Sequence, residues 1–141
     1  MGDNLTFDKL NLAFQKLFQG AELLALQKNR YWMSDRGITL DGGAFVALLE
    51  YAAQKEAIIV GKPALEFFNL ALQALNIPRN KVIMIGDDME SDIAGAERAG
   101  IKSVLVKTGK YRDQDAKTAH IKPWRVINSI AQLRLTIGDM I

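Results

Sequence analysis

The chain has 141 residues, 49% of them hydrophobic and 24% charged, with 18 basic against 16 acidic side chains and a net charge of +2. That composition excludes disorder as the main state, and the charge is too balanced to point to nucleic acid or an anionic membrane as partner. The absence of cysteine excludes disulfide scaffolds, zinc–thiolate and iron–sulfur sites and thiol nucleophiles, while the single histidine, His120, excludes a multi-histidine metal site within one chain.

No apolar run approaches the roughly 20 residues that span a bilayer, so no membrane span is expected. Met1-Gly2-Asp3-Asn4 has no basic segment leading into an apolar one, and a cytoplasmic location is the corresponding expectation. Internal repeats and low-complexity segments are absent from the sequence. Along the chain, Phe7, Leu10, Phe14 and Leu17 recur at helical spacing, with Thr6 as N-cap and Gly20 as stop. Ala21 to Leu26 reads as a short strand and Lys28 to Thr39 as a polar loop containing Tyr31 and Trp32. Asp41 is placed to cap a helix from Gly42 to Gln54 whose apolar face is Phe45, Leu48, Leu49 and Ala52.

A second rhythm begins near residue 57. Ile58-Ile59-Val60 reads as a buried strand, followed by Gly61-Lys62-Pro63 and a helix to Leu75 that Asn76 and Pro78 end. Pro63 suits the first helical position. Val82 to Ile85 is the next buried strand, Ser91 to Ala99 a helix stopped by Gly100, and Ser103 to Val106 a third strand. The tail reads as loop up to Trp124 and as helix from Val126 to Leu133. Apolar β-branched runs separated by helices predict an α/β fold with a parallel sheet, divided into residues 1–57 and 58–141.

The strongest chemical signal is Gly86-Asp87-Asp88-Met89-Glu90-Ser91-Asp92, directly after a buried strand. Ligands of open parallel sheets bind beyond the carboxyl ends of the strands. Asp87 and Asp92, five residues apart across a strand-to-helix turn, can point at one spot, and Mg²⁺ takes hard oxygens of this kind. The helix N-terminus adds an attraction for anions. Lys62 also follows an apolar strand, and its ammonium suits a phosphate or a carboxylate. Together these residues describe a phosphate-plus-magnesium site. Taken singly they have plainer readings: Asp87 as a helix cap, Lys62 as surface, Asp88 and Glu90 as solvated, Tyr31 and Trp32 as packing, His120 as a loop residue. An EF-hand fails because its sixth and twelfth positions, counted from Asp87, hold Asp92 and Arg98 rather than Gly and Glu. A polymerase-type Gly-Asp-Asp hairpin fails because the continuation reads as helix.

Val60-Gly61-Lys62-Pro63 and Ile85-Gly86-Asp87-Asp88-Met89-Glu90-Ser91-Asp92-Ile93-Ala94-Gly95-Ala96 resemble the third and fourth motifs of the haloacid dehalogenase (HAD) superfamily. Arg30-Tyr31-Trp32, Gly43-Ala44-Phe45-Val46, Leu49-Glu50-Tyr51-Ala52 and Leu105-Val106-Lys107-Thr108-Gly109-Lys110-Tyr111-Arg112 narrow the resemblance to the subclass with a large α/β cap, that of the nucleotide and p-nitrophenyl phosphatases. The resemblance implies half of a HAD-type, Rossmann-like parallel core after a remnant of an α/β cap. It implies Mg²⁺-dependent hydrolysis of a small phosphorylated molecule through an aspartyl-phosphate. By motif, Asp87 is the expected metal ligand, Lys62 the phosphate-binding and catalytic cation, and Asp92 the second catalytic carboxylate, orienting Lys62 or the metal's waters. The family's Asp-x-Asp nucleophile segment has no match. Asp35 is followed by Arg36-Gly37, and Asp113-Gln114-Asp115 follows no buried strand. The chain alone is therefore expected to be inactive, with an open sheet edge that a second copy or a partner chain would complete. The competing expectation is a non-enzymatic binding or assembly module that oligomerises through that edge. A receiver-like phospho-acceptor is disfavoured, because its acidic pair should precede the lysine.

Overall fold

The computed structural model describes residues 5–118 and 120–134. The chain divides into two compact units, Met1–Gly61 and Lys62–Ile141.

In the first unit, α1 (Phe7–Phe18) starts where the Thr6 hydroxyl accepts the Lys9 N–H, a local cap that spares one of the helix's unpaired donors. Its residue Leu17 is buried, and the helix packs against α2 (Gly42–Ala53). The Asp41 carboxylate accepts the Gly42 N–H at the start of α2, and Gln54 ends it in the left-handed conformation, φ 53°. β1 (Leu24–Ala25) and β4 (Ile58–Ile59) form a short parallel pair. β4 thus belongs to the sheet of β1, within the unit that runs to Gly61. Gly61 itself faces the Leu26 carbonyl, where a Cβ would collide with backbone.

The segment Lys28 to Thr39, expected as a loop, is largely a hairpin. β2 (Tyr31–Ser34) runs antiparallel to β3 (Gly37–Leu40), pairing Trp32 with Thr39 and Met33 with Ile38. Asp35-Arg36 form the turn, Gly37 takes φ +94°, and the Ser34 hydroxyl meets Thr39 Oγ1 at 2.8 Å. The β-forming runs Tyr31-Trp32-Met33 and Ile38-Thr39-Leu40 carry the strands, and the polar turn between them gives the segment its loop-like composition.

The second unit is a three-stranded parallel sheet, ordered β5 (Ile83–Gly86), β6 (Lys102–Val106), β7 (Arg125–Ile127). Side chains of β5 alternate between two faces. Met84 joins Val82, Leu72 and the buried Phe68, Ala96, Ala99 and Ile101, under α3 (Leu65–Leu75) and α4 (Ala94–Arg98). Ile83 and Ile85 join Val104, Val106, Ile127, Trp124 and Leu133 on the other face. Trp124 also lies beside two cations, the Lys102 ammonium 5.3 Å and the Arg125 guanidinium 4.8 Å from its ring centre.

Three expectations for this unit are corrected. Pro63 is not the first helical residue; α3 starts at Leu65 after an extended Ala64. Within the expected loop before Trp124, Asp113–Thr118 forms a short helix, α5. Val126 lies in a strand rather than a helix. Val126, Ile130 and Leu133 have helical spacing, but Val126 and Ile127 extend the sheet beside Leu105 and Val106, and a 3₁₀ turn spans Ile130–Gln132. Burial of Ile127 against Val104 and Val106 outweighs the local periodicity.

Candidate active site

The candidate residues of the second unit cluster where β5 turns into the helix that follows it. Asp88 caps that helix: its Oδ1 accepts the Glu90 and Ser91 N–H groups, each at 3.0 Å. The first turn, Met89–Ile93, is π-helical and runs directly into α4. π turns interrupt helices rarely and often at functional positions. Asp92 completes the cap from the other side, its Oδ2 accepting the Asp88 N–H at 3.2 Å. This is the reciprocity of a capping box, returned from the fourth residue rather than the third because the turn is one residue wider.

The other oxygen of Asp92 takes the Lys62 ammonium at 2.6 Å. The Asp92 side chain is 4% exposed and the Lys62 side chain 39% exposed, so a buried carboxylate holds a cation that still reaches solvent. Gly86 makes this possible, since a Cβ there would collide with the Asp92 carboxylate. Gly95 does the same for the packing beneath, where a Cβ would meet the Phe68 ring. Lys62 enters through a cis peptide bond to Pro63, whose carbonyl accepts from the Arg98 guanidinium at 3.0 Å.

Asp87 is held separately. Its Oδ2 accepts the Lys110 N–H at 2.6 Å, while the Lys110 ammonium bonds Asp88 Oδ2 at 3.0 Å. The structure brings Lys62 and Asp92 together, whereas Asp87 has a hydrogen-bond partner of its own. Asp88, read as solvated, is a cap and an ion-pair partner with its side chain 17% exposed. Burial pushes its carboxyl up, but the Ser91 N–H, the Lys110 ammonium and the Glu90 N–H outweigh that and hold it below its ordinary value.

Lys110 is the residue that site reasoning missed. It sits 23 positions from Asp87, and only the parallel register of β5 with β6 brings the two loops side by side. The other Asp-x-Asp spacing, Asp113-Gln114-Asp115, lies on the exposed α5. His120 is exposed.

Among the described residues no three Asp, Glu, His or Cys side chains converge to hold a metal ion. Asp87 offers one carboxylate, a hard donor that suits Mg²⁺ when water and phosphate oxygens complete the shell. The donor chemistry fits that ion and would supply one of its ligands. No helix among the described residues is long and apolar enough to cross a membrane.

Comparison with known proteins bears on this geometry. The HAD-hydrolase-like family profile matches residues 59–133, more than half of the chain. Phospholysine phosphohistidine inorganic pyrophosphate phosphatase from Homo sapiens is 37% identical over 133 residues, covering 93% of this chain and 49% of that protein. Among solved structures, 4-nitrophenylphosphatase from Thermotoga maritima superposes with a TM-score of 0.84 at 27% identity, covering 93% of this chain and 51% of that one. Glycerol phosphate phosphatase from Mycobacterium tuberculosis, solved in complex with magnesium, gives a TM-score of 0.79 at 26% identity, covering 89% and 38%. The chain spans about half the length of the curated relatives it matches.

Proposed function

The chain belongs to the HAD-like hydrolases, and from that premise we propose that its second unit carries the phosphate-and-Mg²⁺ half of a phosphatase site for a small phosphorylated molecule. The observation that carries this reading is the 2.6 Å pair between Lys62 and the buried Asp92. Asp92 fixes the ammonium at the sheet edge, and the ammonium neutralises phosphate charge there. Asp92 acts through Lys62, because both of its oxygens are engaged. Asp87 is the metal ligand in this reading. Bound Mg²⁺ would supply charge neutralisation at the phosphate. In this reading the first unit, with β4, corresponds to part of a cap and the second unit to the latter half of the core.

A carboxylate nucleophile divides phosphate-ester hydrolysis into two easier steps. The resemblance asks for an Asp-x-Asp after a buried strand, and these 141 residues hold none. The proposal is that the chain alone binds phosphate and metal without significant turnover. The test assays p-nitrophenyl phosphate with and without Mg²⁺ on chromatographic fractions sized by light scattering, alongside binding of inorganic phosphate followed by ³¹P NMR. Phosphate binding that Lys62→Ala removes, without turnover, supports the reading. Mg²⁺-dependent turnover abolished by Asp87→Ala would refute inactivity.

A second reading has its own observation. β5 pairs only with β6 among the described strands, so its other flank is an open edge. A binding or assembly module would use that edge to recruit a second copy or a partner chain. A monomer at all concentrations in the light-scattering run would count against it.

A further inference from the structure

We propose that the turn Thr108–Tyr111 is the positioning element of Asp87, acting through its main chain. This rests on the reading of Asp87 as the metal ligand and adds to it the residues that aim the ligand.

The turn is closed by the Tyr111 N–H donating to the Thr108 carbonyl at 3.0 Å. Gly109 takes its first central position with φ +56°, a conformation that glycine adopts without steric cost. Lys110 follows without a positive φ. Its main-chain N–H, at the second central position, points out of the turn at Asp87 Oδ2, 2.6 Å away. Gly109 has a second reason to be glycine: a Cβ there would collide with the same Asp87 oxygen. Two adjacent residues thus make a seat for one carboxylate, one by having no side chain and the other by donating its amide.

The Lys110 side chain has a different task. Its ammonium goes to Asp88 Oδ2 at 3.0 Å, which ties the turn to the helix cap and keeps the positive charge on the neighbouring carboxylate. The hydrogen bond that orients Asp87 thus comes from the main chain, while the ammonium is bonded to Asp88. The amide uses part of the carboxylate's acceptor capacity, and what remains would serve a hard cation. Groups that orient a metal ligand typically change metal affinity about 10- to 100-fold when lost.

The experiment titrates the full 141-residue chain with MgCl₂ and follows ¹H–¹⁵N amide shifts of residues 86–92 and 108–111. In the native chain these amides shift along one saturable curve, and Asp87→Ala abolishes it. Gly109→Ala is expected to weaken Mg²⁺ binding about tenfold. Gly37→Ala supplies the control, because Gly37 also has a positive φ but open space around its missing Cβ, and it leaves Mg²⁺ binding unchanged. Lys110→Met removes the ammonium and keeps the N–H, and it does not weaken Mg²⁺ binding.

Should Gly109→Ala not fold, hydrogen exchange at the Lys110 amide decides instead. It is protected in the native chain and loses that protection in Asp87→Ala. Absence of a saturable shift in the native chain, or an unchanged one in Asp87→Ala, overturns the metal reading of Asp87 and this inference with it. Normal binding in Gly109→Ala, or a Lys110 amide unprotected in the native chain, overturns the positioning role alone. A loss in Lys110→Met equal to that in Gly109→Ala also overturns it, by assigning the role to the side chain.

Discussion

Lys62 and Asp92 stand 30 positions apart in sequence and 2.6 Å apart in space, with the carboxylate buried and the ammonium partly in water. The pair is therefore asymmetric. The aspartate also accepts the Asp88 N–H, so its loss strands a backbone donor, whereas loss of the lysine strands a buried carboxylate without its counter-charge.

Asp92→Ala should accordingly cost about 2 kcal/mol, the usual penalty of leaving such a donor unpaired. Lys62→Met should cost more, about 3 kcal/mol, because it leaves the buried Asp92 carboxylate without its counter-charge. Urea denaturation of both variants checks the order, and equal costs would contradict the asymmetry.

The pH dependence follows from Asp88, whose carboxyl is held below its ordinary value by the net effect of burial, which raises it, and of the Ser91, Lys110 and Glu90 hydrogen bonds, which lower it further. A carboxyl with a folded value below its unfolded one stabilises the fold fully above the unfolded value, about 3.9. That contribution fades as the pH falls through the folded value. The second unit should lose stability on acidification below about pH 4, and Asp88→Asn should lose less over the same interval. Urea midpoints at about pH 6 and pH 3 measure this; identical acid losses in the two proteins would exclude Asp88 as the source.

Gly86→Ala places a methyl group against the Asp92 carboxylate. Overpacking of this kind costs about 1–3 kcal/mol, and here it also displaces the partner of Lys62. The expected result is a lowered melting temperature together with weakened phosphate binding in the ³¹P assay. Loss of stability with phosphate binding intact would detach Asp92 from the site.

Phe68 is 2% exposed and packs on Ala96, Ala99 and Ile101. Phe68→Ala should cost about 3–5 kcal/mol, enough to unfold much of the second unit. Circular dichroism during thermal melting measures the effect, and a shift of only a degree or two would mean that α3 contributes little to that core.

The elements legible in the sequence are those with local causes. Thr6 and Asp41 cap their helices through their own side chains, and Asn76 ends α3 in the left-handed conformation, φ 50°. Val104 and its neighbours form a continuous apolar run because both faces of β6 are covered. Lys62 and Asp87 stand out because each follows an apolar run, and Asp92 because it opens the next helix, although Ile58 and Val60 are exposed rather than buried as the sequence suggests. The elements that sequence reading misses have distant causes. β7 depends on a register with β6 that no local period encodes. Lys110 gains its partners through strand pairing, and although its segment carries part of the family resemblance, no local spacing points it at Asp87 or Asp88.

The two tryptophans are divided between the units, Trp32 on the hairpin and Trp124 against the parallel sheet. Each unit therefore contains its own fluorescent reporter. Trp32→Phe leaves emission from the second unit alone, and Trp124→Phe from the first. Because the Trp124 ring lies beside two cations, its spectrum should respond to the release of Lys102 and Arg125 as that sheet opens. Denaturation curves of the two variants then report separately on the halves, and their midpoints state whether the chain melts as one cooperative body or in two steps.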